Sequence, residues 1–107
     1  MAFSNLYVKV EPTRKEIDAL SEPTVLEFGT DWCGYCQNAQ PLIEQVFAEH
    51  PDVAHIKVED GPGRPLGRSF GITLWPTLLF LKNGQEIARL VRPQSAQAIS
   101  QAMTNIS

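Results

Sequence analysis

The sequence predicts an α/β domain with a central mixed β-sheet flanked by helices on both faces. Three observations carry that expectation. Two β-prone runs, residues 24–28 ("TVLEF") and 54–58 ("AHIKV"), bracket a helical pattern, the order of a βαβ unit. Two later runs, 77–81 and 86–91, are joined by Asn83-Gly84, a strong hairpin signal. An amphipathic stretch from Ser95 then closes the chain. At 107 residues, one domain spanning 1–107 is expected, large enough to bury a core without staples.

The elements are justified in turn. Residues 7–10 are a short β-prone run. Thr13 with Glu16 three positions later is a capping box, so a short helix should follow and bury Ile17 and Leu20 before "SEP" breaks it. Residues 24–28 read as a central strand, although it carries Glu27. From about Cys33, Ala39, Leu42, Ile43, Val46 and Phe47 repeat on one helical face, and Pro41 among them should kink the helix. "HPD" ends it, because the residue before a proline leaves the helical region. Residues 54–58 alternate and should pair parallel to the preceding strand. "EDGPGRPLG" is expected as a loop, with a short helical turn at 68–70. Its "GPGRPLG" is close to a dinucleotide-binding fingerprint. The last glycine comes one residue late, however, and Pro62 and Pro65 remove N–H groups that a pyrophosphate would need. In the final helix Ala96, Ile99, Met103 and Ile106 should face inward. The order is β-α-β-α-β, a connection, then β-β-α.

Composition excludes several functions. A net charge of -3 leaves no basic footprint for nucleic acid or an anionic membrane. No apolar run approaches the ~20 residues that span a bilayer. The start, "MAFSNLYVKVEP", lacks the charged-then-apolar order of a secretory signal. Two cysteines without such a signal make the reducing cytoplasm the default expectation, where a close cysteine pair is more often catalytic or metal-binding than structural; a monomer is expected.

Both cysteines lie in "EFGTDWCGYCQNAQP", two residues apart. Cys33, Cys36, His50 and His55 fit the spacing C-x2-C-x13-H-x4-H of a zinc finger. A finger needs its cysteines on a hairpin and both histidines on one helix face. Here a helix follows the cysteines directly, and Pro51 separates the histidines, which read as surface residues. A structural disulfide across so small a loop would contribute little. The redox reading fits the position. A first cysteine at a helix N-terminus meets unpaired N–H groups and the positive end of the macrodipole, which favour its thiolate. Cys36, one turn in, should be more buried and stay protonated until needed.

Around these cysteines the chain resembles the thioredoxin family. "WCGYC" is similar to the family's "WCGPC", with Tyr35 in place of proline. Pro41 matches the proline that kinks the family's active-site helix, and "WPTLLFLKNGQE" resembles its cis-proline segment and following hairpin, making Pro76 the cis residue. The similarity runs from about Pro23 to the C-terminus; before it only the strand-helix order matches. The resemblance implies a thioredoxin fold and a cofactor-free thiol–disulfide oxidoreductase. Its substrates would be protein disulfides and its electron donor a flavin-dependent disulfide reductase. It places Trp32, Gly34, Tyr35, Trp75, Pro76 and Arg92 around the substrate. Besides Tyr35, three positions depart from the pattern: Glu27 replaces a buried aspartate, Gly29 an aromatic residue and Arg92 a glycine near the groove. Lys57 matches the lysine that accompanies the buried acid.

In the mechanism this suggests, Cys33 thiolate attacks a substrate disulfide and Cys36 resolves the mixed disulfide. Glu27, beneath the pair, would accept the Cys36 proton. Alternation leaves a second reading open, with Glu27 on an exposed strand face opposite Leu26 and Phe28. Tyr35 is expected to offer its N–H to the Cys33 thiolate, which would weaken the protein as a reductant. Trp75 should help to select substrates that pair with its open backbone. Competing functions are a disulfide isomerase or oxidant on the same scaffold, and a non-enzymatic partner-binding domain.

Overall fold

The computed structural model describes residues 3–107. β1 (Thr24–Gly29), β2 (Ala54–Glu59), β3 (Thr77–Lys82) and β4 (Gln85–Val91) form one sheet in the order β2-β1-β3-β4. β2 runs parallel to β1, while β3 is antiparallel to both β1 and β4. The helices are α1 (Arg14–Asp18), α2 (Gly34–Phe47), α3 (Pro65–Ser69) and α4 (Ala96–Thr104). This is the mixed sheet with flanking helices that the sequence predicts.

Because side chains alternate along a strand, β1 splits its residues between two cores. Val25 joins Ile43, Phe47, Leu78, Phe80, Ile99 and Met103 beneath α2 and α4. Leu26 and Phe28 join Ile17, Val58, Leu66, Phe70 and Leu79 beneath α1 and α3. Glu27 has the parity of Val25 and so points toward α2. The parallel register sets Val25 opposite His55 and Glu27 opposite Lys57, so three polar side chains share the α2 face. Local signals close the helices. Thr13 and Glu16 complete the capping box of α1, and Ser95 caps α4 by accepting from Ala98 N–H.

Two expectations are corrected. The β-prone run at 7–10 is a single parallel bridge between Tyr7 and Lys57, with Val8 N–H donating to Lys57 C=O at 2.8 Å, rather than a strand. The third helix begins at Pro65, inside the stretch expected as loop, and ends at Ser69. Proline lacks an N–H that the first helical turn would leave unpaired anyway, so Pro65 starts the helix instead of preventing it.

Candidate active site

Cys33 is the N-cap of α2, in extended conformation, and its Sγ accepts the Cys36 N–H at 3.2 Å. The expected donor was Tyr35. The helix geometry delivers the third N–H of the first turn instead, which is the usual reach of an N-cap side chain. Cys33 retains 9% of its surface and Cys36 only 1%, so one sulfur is presented over another that is enclosed. Burial pushes the Cys36 thiol up to about 12, aided by its hydrogen bond with Cys33 and the charges of Cys33 and Glu27. A backbone hydrogen bond from Thr30 pulls the other way.

Glu27 is fully buried, which removes the exposed-face reading. Its Oε1 lies 2.7 Å from His55 Nε2, and its Oε2 accepts from Gln40 Nε2 at 2.8 Å. His55 Nδ1 accepts the Ser4 N–H at 2.8 Å, so Nε2 carries the ring proton and donates to the carboxylate. His55 is thus a buried partner of the acid, stacked on Phe47 at 4.7 Å, and the expectation of a surface histidine is corrected. With both ring nitrogens engaged it is not available to the zinc-finger template. The sequence carried a signal for this pair, since His55 and Lys57 share the parity of a strand face opposite a buried acid. Lys57 reaches the acid through a side-chain relay: its Nζ donates to Gln40 Oε1 at 2.9 Å, and Gln40 donates to Glu27 and, at 3.0 Å, to Cys36 C=O. No sequence motif singles out Gln40; its only signal is its place one helical turn beyond Cys36.

The rim is built from aromatic residues and one arginine. Trp32 is 69% and Tyr35 58% exposed. Trp32 meets Trp75 edge-on at 5.8 Å, and Trp75 Nε1 donates to Asp60 Oδ2 at 2.8 Å. The Trp75–Pro76 peptide is cis. Arg92 adopts a left-handed backbone conformation (φ 50°) and donates its N–H to Pro76 C=O at 2.9 Å. Its guanidinium lies 3.8 Å from the centre of the Tyr35 ring, and its Nε donates to Trp75 C=O at 2.8 Å. Tyr35 and Arg92, two departures from the family pattern, therefore touch. The expectation of a fully open Trp75 backbone is corrected, because Arg92 occupies its carbonyl. Gly34 has open space where a Cβ would be.

The sequence pattern described as Thioredoxin matches residues 6–105. Thioredoxin 2 from Pseudomonas aeruginosa PAO1, solved in its reduced form, superposes with a TM-score of 0.87 at 54% identity, covering 97% of this chain and 96% of that one. Thioredoxin from Mycobacterium tuberculosis (strain ATCC 25618 / H37Rv) is 28% identical over 104 residues, covering 92% of this chain and 88% of its own length. Thioredoxin H5 of Oryza sativa subsp. japonica is 32% identical over 79 residues, or 74% of this chain, and the match spans only 58% of that relative. The match to a Caenorhabditis elegans peptide-N(4)-(N-acetyl-beta-glucosaminyl)asparagine amidase, 34% identical over 77 residues, spans 12% of that protein. The match over residues 6–105 and the shared architecture assign the chain to the thioredoxin family.

Proposed function

We propose that the chain reduces protein disulfides by exchange with its Cys33/Cys36 dithiol. The supporting observation is the order of the sulfurs: Cys33 at the helix N-cap accepts an N–H, while Cys36 is enclosed and protonated beneath it. A thiolate stabilised by that N–H and the helix dipole attacks one sulfur of the substrate, and the other leaves as a thiolate. Cys36 then gives its proton to Glu27 and attacks Cys33 Sγ, breaking the mixed disulfide and releasing the second substrate thiolate. Two electrons pass to the substrate, and the chain is left with a Cys33–Cys36 disulfide. Gln40 and Lys57 orient the acid, while Trp32, Gly34, Tyr35, Trp75, Pro76 and Arg92 form the substrate groove.

The wider role follows the family: redox homeostasis in the cytoplasm as a monomer, recharged by a flavin-dependent disulfide reductase. Among the described residues no helix is long and apolar enough to cross a membrane. Insulin reduction with dithiothreitol tests the activity. The wild type should accelerate it and Cys33→Ser should not; equal rates for the two would refute the exchange reading. Equilibration with glutathione gives the potential, and a value well above that of the glutathione pool would assign an oxidant or isomerase instead.

A further inference from the structure

The N-terminal segment brings a phenol to the resolving cysteine. Gly29 ends β1 with the parity of Glu27, pointing toward α2. A Cβ there would lie 2.6 Å from Cys36 Sγ and 3.2 Å from Tyr7 Oη, so both atoms press on the space that glycine leaves. Tyr7 is held by its bridge to Lys57 and by Lys57 Nζ, 4.5 Å from the ring centre. Tyr7 and Cys36 also line one cavity of about 170 Å³ with Thr30, Asp31, Gln40 and Lys57.

We propose that Tyr7 is a further catalytic residue, whose hydroxyl donates a hydrogen bond to Cys36 Sγ as the resolving thiolate forms. The proposal rests on the exchange reading above. During resolution Cys36 loses its proton to Glu27 and its sulfur gains negative charge before the bond to Cys33 forms. The Thr30 backbone favours charge on that sulfur, and the Tyr7 hydroxyl, which shares the space at Gly29 with it, is the side chain placed to supply a second donor. The phenol keeps its proton throughout. Burial, then the charges of Glu27, Cys36 and Cys33, and last a hydrogen bond with Cys36 push it far above the usual tyrosine range. The ionisable groups facing this pair are Cys33 from α2, Glu27 from β1, Lys57 from β2 and Asp31 from the connection before α2. Of these only Lys57 is cationic, and it sits over the ring face, away from a role as proton acceptor. Gly29, which departs from the family's aromatic residue, is what makes room.

The test uses the reduced full chain and an aryl disulfide that releases a coloured thiolate. Release of the first thiolate reports attack by Cys33, and release of the second reports resolution by Cys36. Tyr7→Phe should leave the first phase unchanged. It should slow the second about tenfold, equivalent to ~1.4 kcal/mol of barrier, and move its pH midpoint upward. Difluorotyrosine at position 7, a stronger donor that keeps the ring, should move that midpoint downward. Gly29→Ala should also impair the second phase selectively, because its Cβ displaces Cys36 Sγ. Unchanged second-phase rates and midpoints, or equal slowing of both phases, would overturn the role of Tyr7. Loss of the first phase in the wild type would instead overturn the exchange reading.

Discussion

Cys33 and Cys36 differ because a helix start treats its first and fourth residues differently. The N-cap side chain faces unpaired N–H groups, whereas the residue one turn in is packed against β1. Cys33→Ser should therefore abolish turnover, while Cys36→Ser should trap a mixed disulfide visible by mass spectrometry. Preferential alkylation of Cys36 in the native dithiol would reverse these assignments. Glu27→Gln keeps the shape of the acid but removes the proton acceptor. Resolution should slow near pH 7 and then climb with pH, since a thiol raised to about 12 must ionise to solvent. Matching release rates for variant and wild type between about pH 6 and 8 would take Glu27 out of the mechanism. Tyr35 and Arg92 form one contact over the Trp75 carbonyl. Tyr35→Pro and Arg92→Gly should each lower KM for a protein disulfide, because either loosens the cap on that carbonyl. The double variant should show less than the summed effect, with a coupling of about 0.5–1 kcal/mol, in the range of exposed cation–π pairs. Simple additivity would mean that the contact does not act as a unit.

The helices and the hairpin set the frame that holds these side chains. α1 has only five residues, too few to persist alone, so its capping box and the burial of Ile17 must hold it. Thr13 accepts the Glu16 N–H at 3.1 Å and gives its own N–H to Glu16 Oε1 at 2.9 Å. Thr13→Ala should cost about 1 kcal/mol of unfolding free energy. At the β3–β4 turn Gly84 has φ 76°, and a Cβ there would run into the Asp18 carbonyl at the end of α1. Gly84→Ala combines backbone strain with this collision, so it should cost more than Thr13→Ala and lower the denaturant midpoint further. Neither substitution touches the cysteines, and the reduction potential should stay constant in both. A potential that moved with stability would show that the α1–hairpin contact is coupled to the site.

Across the whole molecule, burial of the resolving thiol links redox state to stability. Folding raises Cys36 from 9.0 to about 12, so between those values the folded dithiol keeps a proton that the unfolded chain has released. The contribution is fully present below pH 9 and is lost as pH rises toward about 12. The disulfide form has no such proton. Urea midpoints of the dithiol form should therefore fall more steeply above pH 9 than those of the disulfide form. Parallel curves for the two forms would contradict the burial argument.

The short-range code of the sequence was enough for the elements that carry the chemistry. β-prone runs marked the strands, the Thr13/Glu16 box and Ser95 marked helix starts, and Asn83-Gly84 marked the hairpin, because each depends on contacts within a few residues. The position of Cys33 at a helix N-cap was legible for the same reason. Contacts between segments far apart in the chain were not. Residues 7–10 have the composition of a strand, yet they make only a bridge, because pairing depends on the partner edge as well as on propensity. The burial of Glu27 was left open by alternation, since periodicity separates two faces without saying which is covered. Packing of α2 onto β1 decided it, and parallel register then brought His55 and Lys57 alongside. Sequence spacing likewise could not bring Tyr7 beside Cys36 or Arg92 onto Tyr35. Those meetings arise only when the sheet assembles and segments distant in the chain pack beside α2.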